Sequence, residues 1–236
     1  MAPDTTYRTD TPETMDDFSM DNAELTKALD DISRVNQFLG GNSVTLNGVK
    51  YLLKKVPKDA EITIMDFGCG NGEILRILSE YGVANGLNFK LIGMDANPAT
   101  IRYAEMCSAG YENISYLPED IFQHGFLKYN VDIALITLTL HHFKDDEIIK
   151  ILRAIFNWTT KGIVVNDLQR SWLPYRLFQA IIYVCRLDKM TAEDGLVSIL
   201  RGFKKSELVK YSAALNFKKY RITWKWAFRY QWIIEK

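Results

Sequence analysis

An α/β fold, built as a doubly wound and mostly parallel sheet, is the class that this 236-residue sequence predicts, and three observations carry the expectation. A short apolar run, Ile62 to Met65, leads into Gly68, Gly70 and Gly72 and then into apolar residues at helical spacing, Ile74, Leu75, Ile77 and Leu78. Further β-rich runs alternate with amphipathic ones, a pattern that requires parallel strands joined by right-handed crossovers. Acidic residues, Asp66, Asp95 and Asp120, recur where those runs end. That rim is where an open α/β sheet holds its ligands.

Composition narrows the class. The length suits one α/β domain with added elements and a large core. Basic and acidic side chains balance at 29 each, so no global field favours nucleic acid. Cys69, Cys107 and Cys185 are scattered, as expected in a reducing compartment. The start of the chain is acidic and polar, unlike a secretory signal. The oiliest segment, Leu177 to Val184, is far shorter than the ~20 residues that span a bilayer. The expectation is a cytoplasmic protein without stable membrane insertion, monomeric or homodimeric.

Residues 1–20, rich in Thr, Asp and Pro, are expected to be flexible. A helix begins at Asp21, with Asp21 and Glu24 spaced as a capping box. It carries Leu25, Leu29, Ile32 and Val35 and stops at Gly40-Gly41. A second helix covers Val44 to Lys54, before Pro57. Residues 21–57 precede the first strand, so they either form a lid over the site or pack on the sheet; the domain proper is expected over 58–236.

The glycine spacing excludes two ligand classes. A dinucleotide fingerprint, G-x-G-x-x-G, would need glycine where Glu73 stands, and a Walker loop would need a lysine, absent between Gly68 and Leu78. Glycines here let the backbone turn and approach a ligand where a Cβ would collide. The second strand, Phe89 to Met94, ends at Asp95, whose carboxylate can accept hydrogen bonds from two ribose hydroxyls. Asn97-Pro98 opens the next helix. The third strand is Asn113 to Leu117, the fourth Val131 to Thr137 and the fifth Gly162 to Val165, with an amphipathic helix over Asp145 to Trp158. Between the third and fourth strands, His124 reads as a surface-loop residue.

An insertion over about residues 168–202 holds a helix of Tyr175, Leu177, Phe178, Ile181, Ile182 and Val184. Apolar on more than one face, it is expected to be buried or to cap an oily substrate. The last helix is Ser206 to Leu215. Phe217 to Glu235 alternates basic and aromatic residues, as two strands with one wet and one packed face would. The same alternation can serve nucleic acid, but the neutral charge argues against it.

Asp66-x-Gly68-x-Gly70-x-Gly72 resembles motif I of the class I S-adenosylmethionine (SAM)-dependent methyltransferases, and the resemblance runs from about Asp59 to Val165. Met94-Asp-Ala-Asn-Pro98 resembles their motif II. Leu138-Thr-Leu-His-His-Phe143 resembles motif IV of the small-molecule branch, including the ubiquinone/menaquinone methyltransferases. Asp167-x-x-Arg170-Ser with Tyr175, and Arg34-Val-Asn with Gly40-Gly41, are similar to O-methyltransferases of aromatic polyketide and pigment pathways.

The resemblance implies a Rossmann-like, seven-stranded, doubly wound sheet with a C-terminal antiparallel hairpin and a helical cap. It implies SAM as cofactor, with S-adenosylhomocysteine (SAH) as product and no metal. Asp66, Gly68, Gly70, Gly72, Asp95, Ala96, Asp120, Ile121, Thr137 and His142 would hold the cofactor, Asp120 taking the adenine amino group and Ile121 the ring face. His141 and His142 are the candidate bases, because imidazole titrates near neutrality. Arg34, Asp167, Arg170 and Tyr175 would meet a small, apolar or aromatic substrate. The implied reaction is methylation of an aromatic hydroxyl; the alternatives are carbon methylation of a quinone-like ring and a non-catalytic SAM-binding protein.

Overall fold

The computed structural model describes residues 3–57, 59–123 and 128–236; His124 lies outside the described residues. Seven strands form one sheet: β1 (Glu61–Phe67), β2 (Asn88–Asp95), β3 (Ile114–Pro118), β4 (Ile133–Thr137), β5 (Gly162–Leu168), β6 (Lys219–Lys225) and β7 (Arg229–Glu235). Their spatial order is β3-β2-β1-β4-β5-β7-β6. β1 to β5 run parallel, and β7 is antiparallel to both its neighbours. The chain winds outward through β2 and β3, then returns across β1 to place β4. The order therefore reverses between β1 and β4, which opens a crevice at their carboxyl ends.

Among the described residues eight α-helices complete the fold: α1 (Ala23–Phe38), α2 (Gly41–Leu52), α3 (Glu73–Asn85), α4 (Pro98–Cys107), α5 (Asp145–Trp158), α6 (Trp172–Cys185), α7 (Lys189–Arg201) and α8 (Lys205–Ala214). Side chains alternate across the strands. Met65 and Phe67 of β1 face a core shared with Ile148, Leu152 and Ile155 of α5 and Leu208 of α8. Ile62 and Ile64 face a second core with Leu75 and Leu78 of α3 and Ile101 of α4. Both faces of the central strands are thus dry, as the unbroken apolar runs required.

Several elements differ from the sequence-based expectation. Asn22, not Asp21, caps α1: its side chain accepts the Leu25 N–H, while Asp21 pairs with Arg102. α2 starts at Gly41, because Gly40 takes a left-handed φ of 71° and turns the chain at once into the next helix. Gly48 then lets α2 lie on β5, since a Cβ there would stand 2.4 Å from Val164 Cγ1. α2 packs on the sheet, while α1 borders the crevice.

β7 has no wet face. It sits between β5 and β6, and Arg229 through Ile234 are all buried. α6 is not buried as a whole: only Pro174 is fully buried, and Trp172, Leu177, Tyr183 and Val184 are exposed. It packs along one stripe, where Phe178 fills the space above Gly195 of α7.

Within the N-terminal segment expected to be flexible, residues between Thr5 and Asp16 are hydrogen-bonded to distant parts of the chain. Arg8 donates to the carbonyls of His141, Phe143 and Arg201, and the Thr14 and Met15 N–H groups donate to Asp194. Among the described residues no helix is long and apolar enough to cross a membrane.

Candidate active site

A cavity of about 1000 Å³ opens at the carboxyl ends of β1, β2, β4 and β5, bordered by α1, α6 and α7. Its floor is the turn after β1. Gly68, Gly70 and Gly72 have φ of 71°, 52° and 76°, a region that side chains disfavour. The N–H groups of Gly68 and Cys69 both donate to Met94 O, which fastens the turn to β2. A Cβ on Gly68 would stand 2.4 Å from the Thr139 methyl. Gly68, Cys69, Gly70 and Asn71 form the cavity wall, whereas Gly72 caps α3 outside it. Asn71 also donates to Ser33 of α1, tying that helix to the turn.

Two buried carboxylates flank this turn. Asp95 accepts the N–H groups of Gly70 and Asn97, and burial still pushes its pKa up. Asp66 is completely buried and its Oδ1 has no partner; burial, and then the charge of Asp95, raise its pKa well above the ordinary range. Both line the cavity. Acceptors buried without donors are costly unless a ligand supplies them. Hydroxyl and ammonium groups of a nucleoside-bearing amino acid would do so. Ala96, Asp120, Ile121 and Thr137 line the same cavity. Burial also pushes the Cys69 thiol well up, which keeps it protonated and unsuited to nucleophilic attack.

The two histidines have different surroundings. The His141 backbone N–H and ring Nδ1 both reach Asp167, at 3.1 and 2.7 Å. Its Nε2 stands 3.6 Å from Glu13 Oε1, and neither atom is hydrogen-bonded. His142 is partly exposed to the cavity, and its Nδ1 lies 2.7 Å from Asp16 Oδ1. Arg201 donates to the other oxygen of Asp16 at 2.6 Å. Burial opposes ionisation of Asp16, but the hydrogen bonds from His142 and Arg201 prevail and hold it well below the ordinary range. Asp167 is likewise held low against burial, mainly by His141. Glu13 is pushed up by burial. The ligand atoms of Glu13, His141 and His142 cluster within 4.8 Å, a grouping that could suit a metal ion. However, Arg201 Nη1 already stands 3.6 Å from Glu13 Oε1 and supplies the positive charge.

Four substrate contacts expected from the sequence do not line the cavity. Arg34 is on the outer side of α1, exposed and paired with Asp31. Arg170 is buried and spent on Thr5 O, Gly202 O and Glu207, clamping the N-terminal segment to α8. Asp167 sits beneath His141 and orients it rather than a substrate. Tyr175 is half-buried on α6, away from the cavity lining. Residues that the sequence reading missed do line it: Glu13 and Asp16 from the N-terminal segment, Asn36 and Asn42 from α1 and α2, and Arg229 from β7. Glu13 and Asp16 lie in a polar stretch without period, whereas Arg229 was masked by the period-two alternation of its strand.

Residues 64–162 match a family model described as "Methyltransferase domain". Comparison with curated proteins gives no match. Among solved structures, the plantazolicin methyltransferase BpumL in complex with SAH is similar over 92% of this chain and 91% of its own, at 16% identity and a TM-score of 0.67. Magnesium protoporphyrin IX methyltransferase (ChlM) from Synechocystis PCC 6803, with bound SAM, is similar over 88% of this chain and 82% of its own, at 16% identity and a TM-score of 0.54. A putative O-methyltransferase from Nostoc punctiforme PCC 73102 covers 90% of this chain and 60% of its own, at 14% identity and a TM-score of 0.61. The glycine turn, the carboxylates beside it and the matched segment point the same way: residues 64–162 are similar to a methyltransferase domain, and the fold of the chain is that of methyltransferases solved with SAH or SAM.

Proposed function

We propose that this enzyme methylates the hydroxyl of a small, largely apolar aromatic molecule, with His142 as the general base and Asp16 as the group that orients it. The observation that carries this reading is the His142–Asp16 pair at the cavity wall. An ionised carboxylate only accepts hydrogen bonds, so Nδ1 of His142 carries the proton. Its Nε2 then keeps a lone pair for the acceptor's proton. His141, with Nδ1 on Asp167 and Nε2 sealed against Glu13, supports the wall instead.

SAM supplies a methyl group already activated on a sulfonium. The protein's part is alignment, exclusion of water and removal of one proton. In this reading Asp95 takes the ribose hydroxyls, Asp120 and Ile121 the adenine, and Asp66 with Gly68 and Gly70 the amino-acid end; all line the cavity. α1 and the cap over residues 168–202 would cover the acceptor, to which Leu25, Leu29, Phe178, Ile181 and Ile199 offer an apolar surface. Holding reactants in line can supply ~7–11 kcal/mol of barrier reduction. A phenol with a pKa near ~10 further gains from a base as its proton leaves.

The test is release of SAH from SAM and a panel of phenols and catechols, with the methylated atom identified by NMR. His142→Gln is expected to lower turnover by about 100-fold or more while SAH affinity stays constant. Equal turnover in the variant would remove the base, and a methyl found on ring carbon would favour the quinone-type reaction.

A further inference from the structure

Arg229 opens β7 opposite Leu168 of β5, lines the cavity and is only 3% exposed. Neither its Nε nor its Nη1 has a hydrogen-bond partner, and among the described residues it forms no ion pair. Asn36 Oδ1 and Asn42 Nδ2 are orphaned at the same place, although the two amides bond each other through their remaining atoms. All converge on Gly41: a Cβ there would stand 2.5 Å from Arg229 Nη1 and 1.9 Å from Asn36 Oδ1. The packing leaves no room for a side chain among these polar groups.

A guanidinium withdrawn from water and left unpaired is among the most expensive groups a protein can hold. Burial lowers its pKa to about 10, which leaves it charged at neutral pH; Asp167, the one carboxylate that acts on it, is already committed to His141. The remaining use for such a group is an anion that arrives with a ligand. Guanidinium geometry matches a carboxylate, which it can grip through two parallel hydrogen bonds.

The sheet order indicates which ligand. The cofactor-facing loops follow β1, β2 and β3. Arg229 stands on the other side of β4, beyond β5, where the acceptor would lie. We propose that the Arg229 end of the cavity is a carboxylate site, occupied by an acidic group on the methyl acceptor. Asn42 Nδ2 adds a further donor, and Asn36 Oδ1 an acceptor for a hydroxyl of the same molecule. The acceptors are then aromatic hydroxy acids rather than neutral phenols, their acidic end anchored by Arg229. This rests on the acceptor reading above, which gives the cavity a small aromatic molecule to hold.

The test is calorimetric binding of 4-hydroxybenzoate and benzoate, against 4-hydroxybenzamide and benzamide, to the SAH-loaded protein and its Arg229→Met variant. The acids are expected to bind at least about 10-fold more tightly than the amides, since a charge-assisted pair is the stronger interaction. The variant is expected to lose that preference and to bind SAH as the parent does. Three results would overturn the site: equal binding of acids and amides by the parent, an intact preference in the variant, or no acid binding up to about 10 mM. Loss of SAH affinity in the variant would overturn it too, by assigning the guanidinium to the cofactor's own carboxylate. Having no partner to lose, the unliganded variant is expected to melt no lower than the parent. Should it not fold, Arg229→Lys keeps the charge without the fork and must narrow the acid-to-amide ratio; an unchanged ratio refutes the proposal. Because binding is read without turnover, failure of methyl transfer on every acceptor remains a separate result.

Discussion

His142 Nδ1 and Asp16 Oδ1 meet at 2.7 Å although 126 positions separate them in the chain. If this contact aims the imidazole, Asp16→Asn will lower turnover by about 10- to 100-fold, because a misaligned catalytic group loses much of its advantage. SAH affinity, measured by calorimetry, is expected to stay within twofold, since the hydrogen bonds of Asp16 go to His142, Arg201 and Glu13 and not to the glycine turn. A parallel loss of SAH binding would assign Asp16 to the cofactor instead.

Gly68→Ala combines a left-handed φ with a collision against Thr139. The conformational part alone costs about 1–2 kcal/mol. We expect a lower melting temperature together with weaker SAH binding. Thr139→Ala in the same chain should restore part of both, because it removes the atoms that the new methyl would strike. A double-mutant cycle reads that coupling, and strict additivity would contradict it.

Asp66 and Asp95 set a pH dependence. Both are raised by burial, Asp66 further by the charge of Asp95, so the folded unliganded chain binds protons more tightly than the unfolded one. Its stability must therefore fall as pH climbs from the ordinary carboxylate range through the raised values. Asp16 and Asp167, held low, act in the opposite sense but only below that range. If cofactor hydroxyls donate to the ionised carboxylates, the melting shift produced by SAH should grow between about pH 4 and pH 7. Asp95→Asn should flatten that growth and weaken SAH binding by about 10-fold or more.

Arg170 and Arg34 separate a clamp from a surface charge. Arg170→Met removes donors from Thr5 O, Gly202 O and Glu207 within a buried setting and should cost about 3 kcal/mol. Arg34→Ala takes an exposed guanidinium from the buried Asp31 carboxylate, which keeps the Asp188 N–H, and should cost about 1–2 kcal/mol. Urea titration checks both values. Turnover per folded molecule should be unchanged in each, since neither side chain reaches the cavity.

What the sequence disclosed is what local pattern encodes. The glycine turn at 68–72, the strand-end Asp95 and the alternation of strand and helix each follow from neighbours in the chain, and the structure places them at one rim. Asp16 and Glu13 escaped notice because a polar, aperiodic segment has no internal reason to be ordered; its order comes from Asp194 and Arg201, far along the sequence. Arg229 read as the wet face of a hairpin. Only the insertion of β7 between β5 and β6 buries it, and strand insertion leaves no mark on a period of two. The oiliness of α6 left burial and capping both open, since apolar side chains look the same in either setting; Leu177, Phe178, Ile181 and Val184 stand on the cavity wall.

The segment that carries Arg8, Glu13 and Asp16 against α7 and the turn at 141–143 has a consequence for integrity of the protein. Cleavage just after it would leave the seven strands, the nucleoside cradle and both imidazoles in place, yet take away the carboxylate that aims one of them. A nicked preparation should still be retained on immobilised SAH while releasing little product, so retention and specific activity would part company in proportion to the clipped fraction.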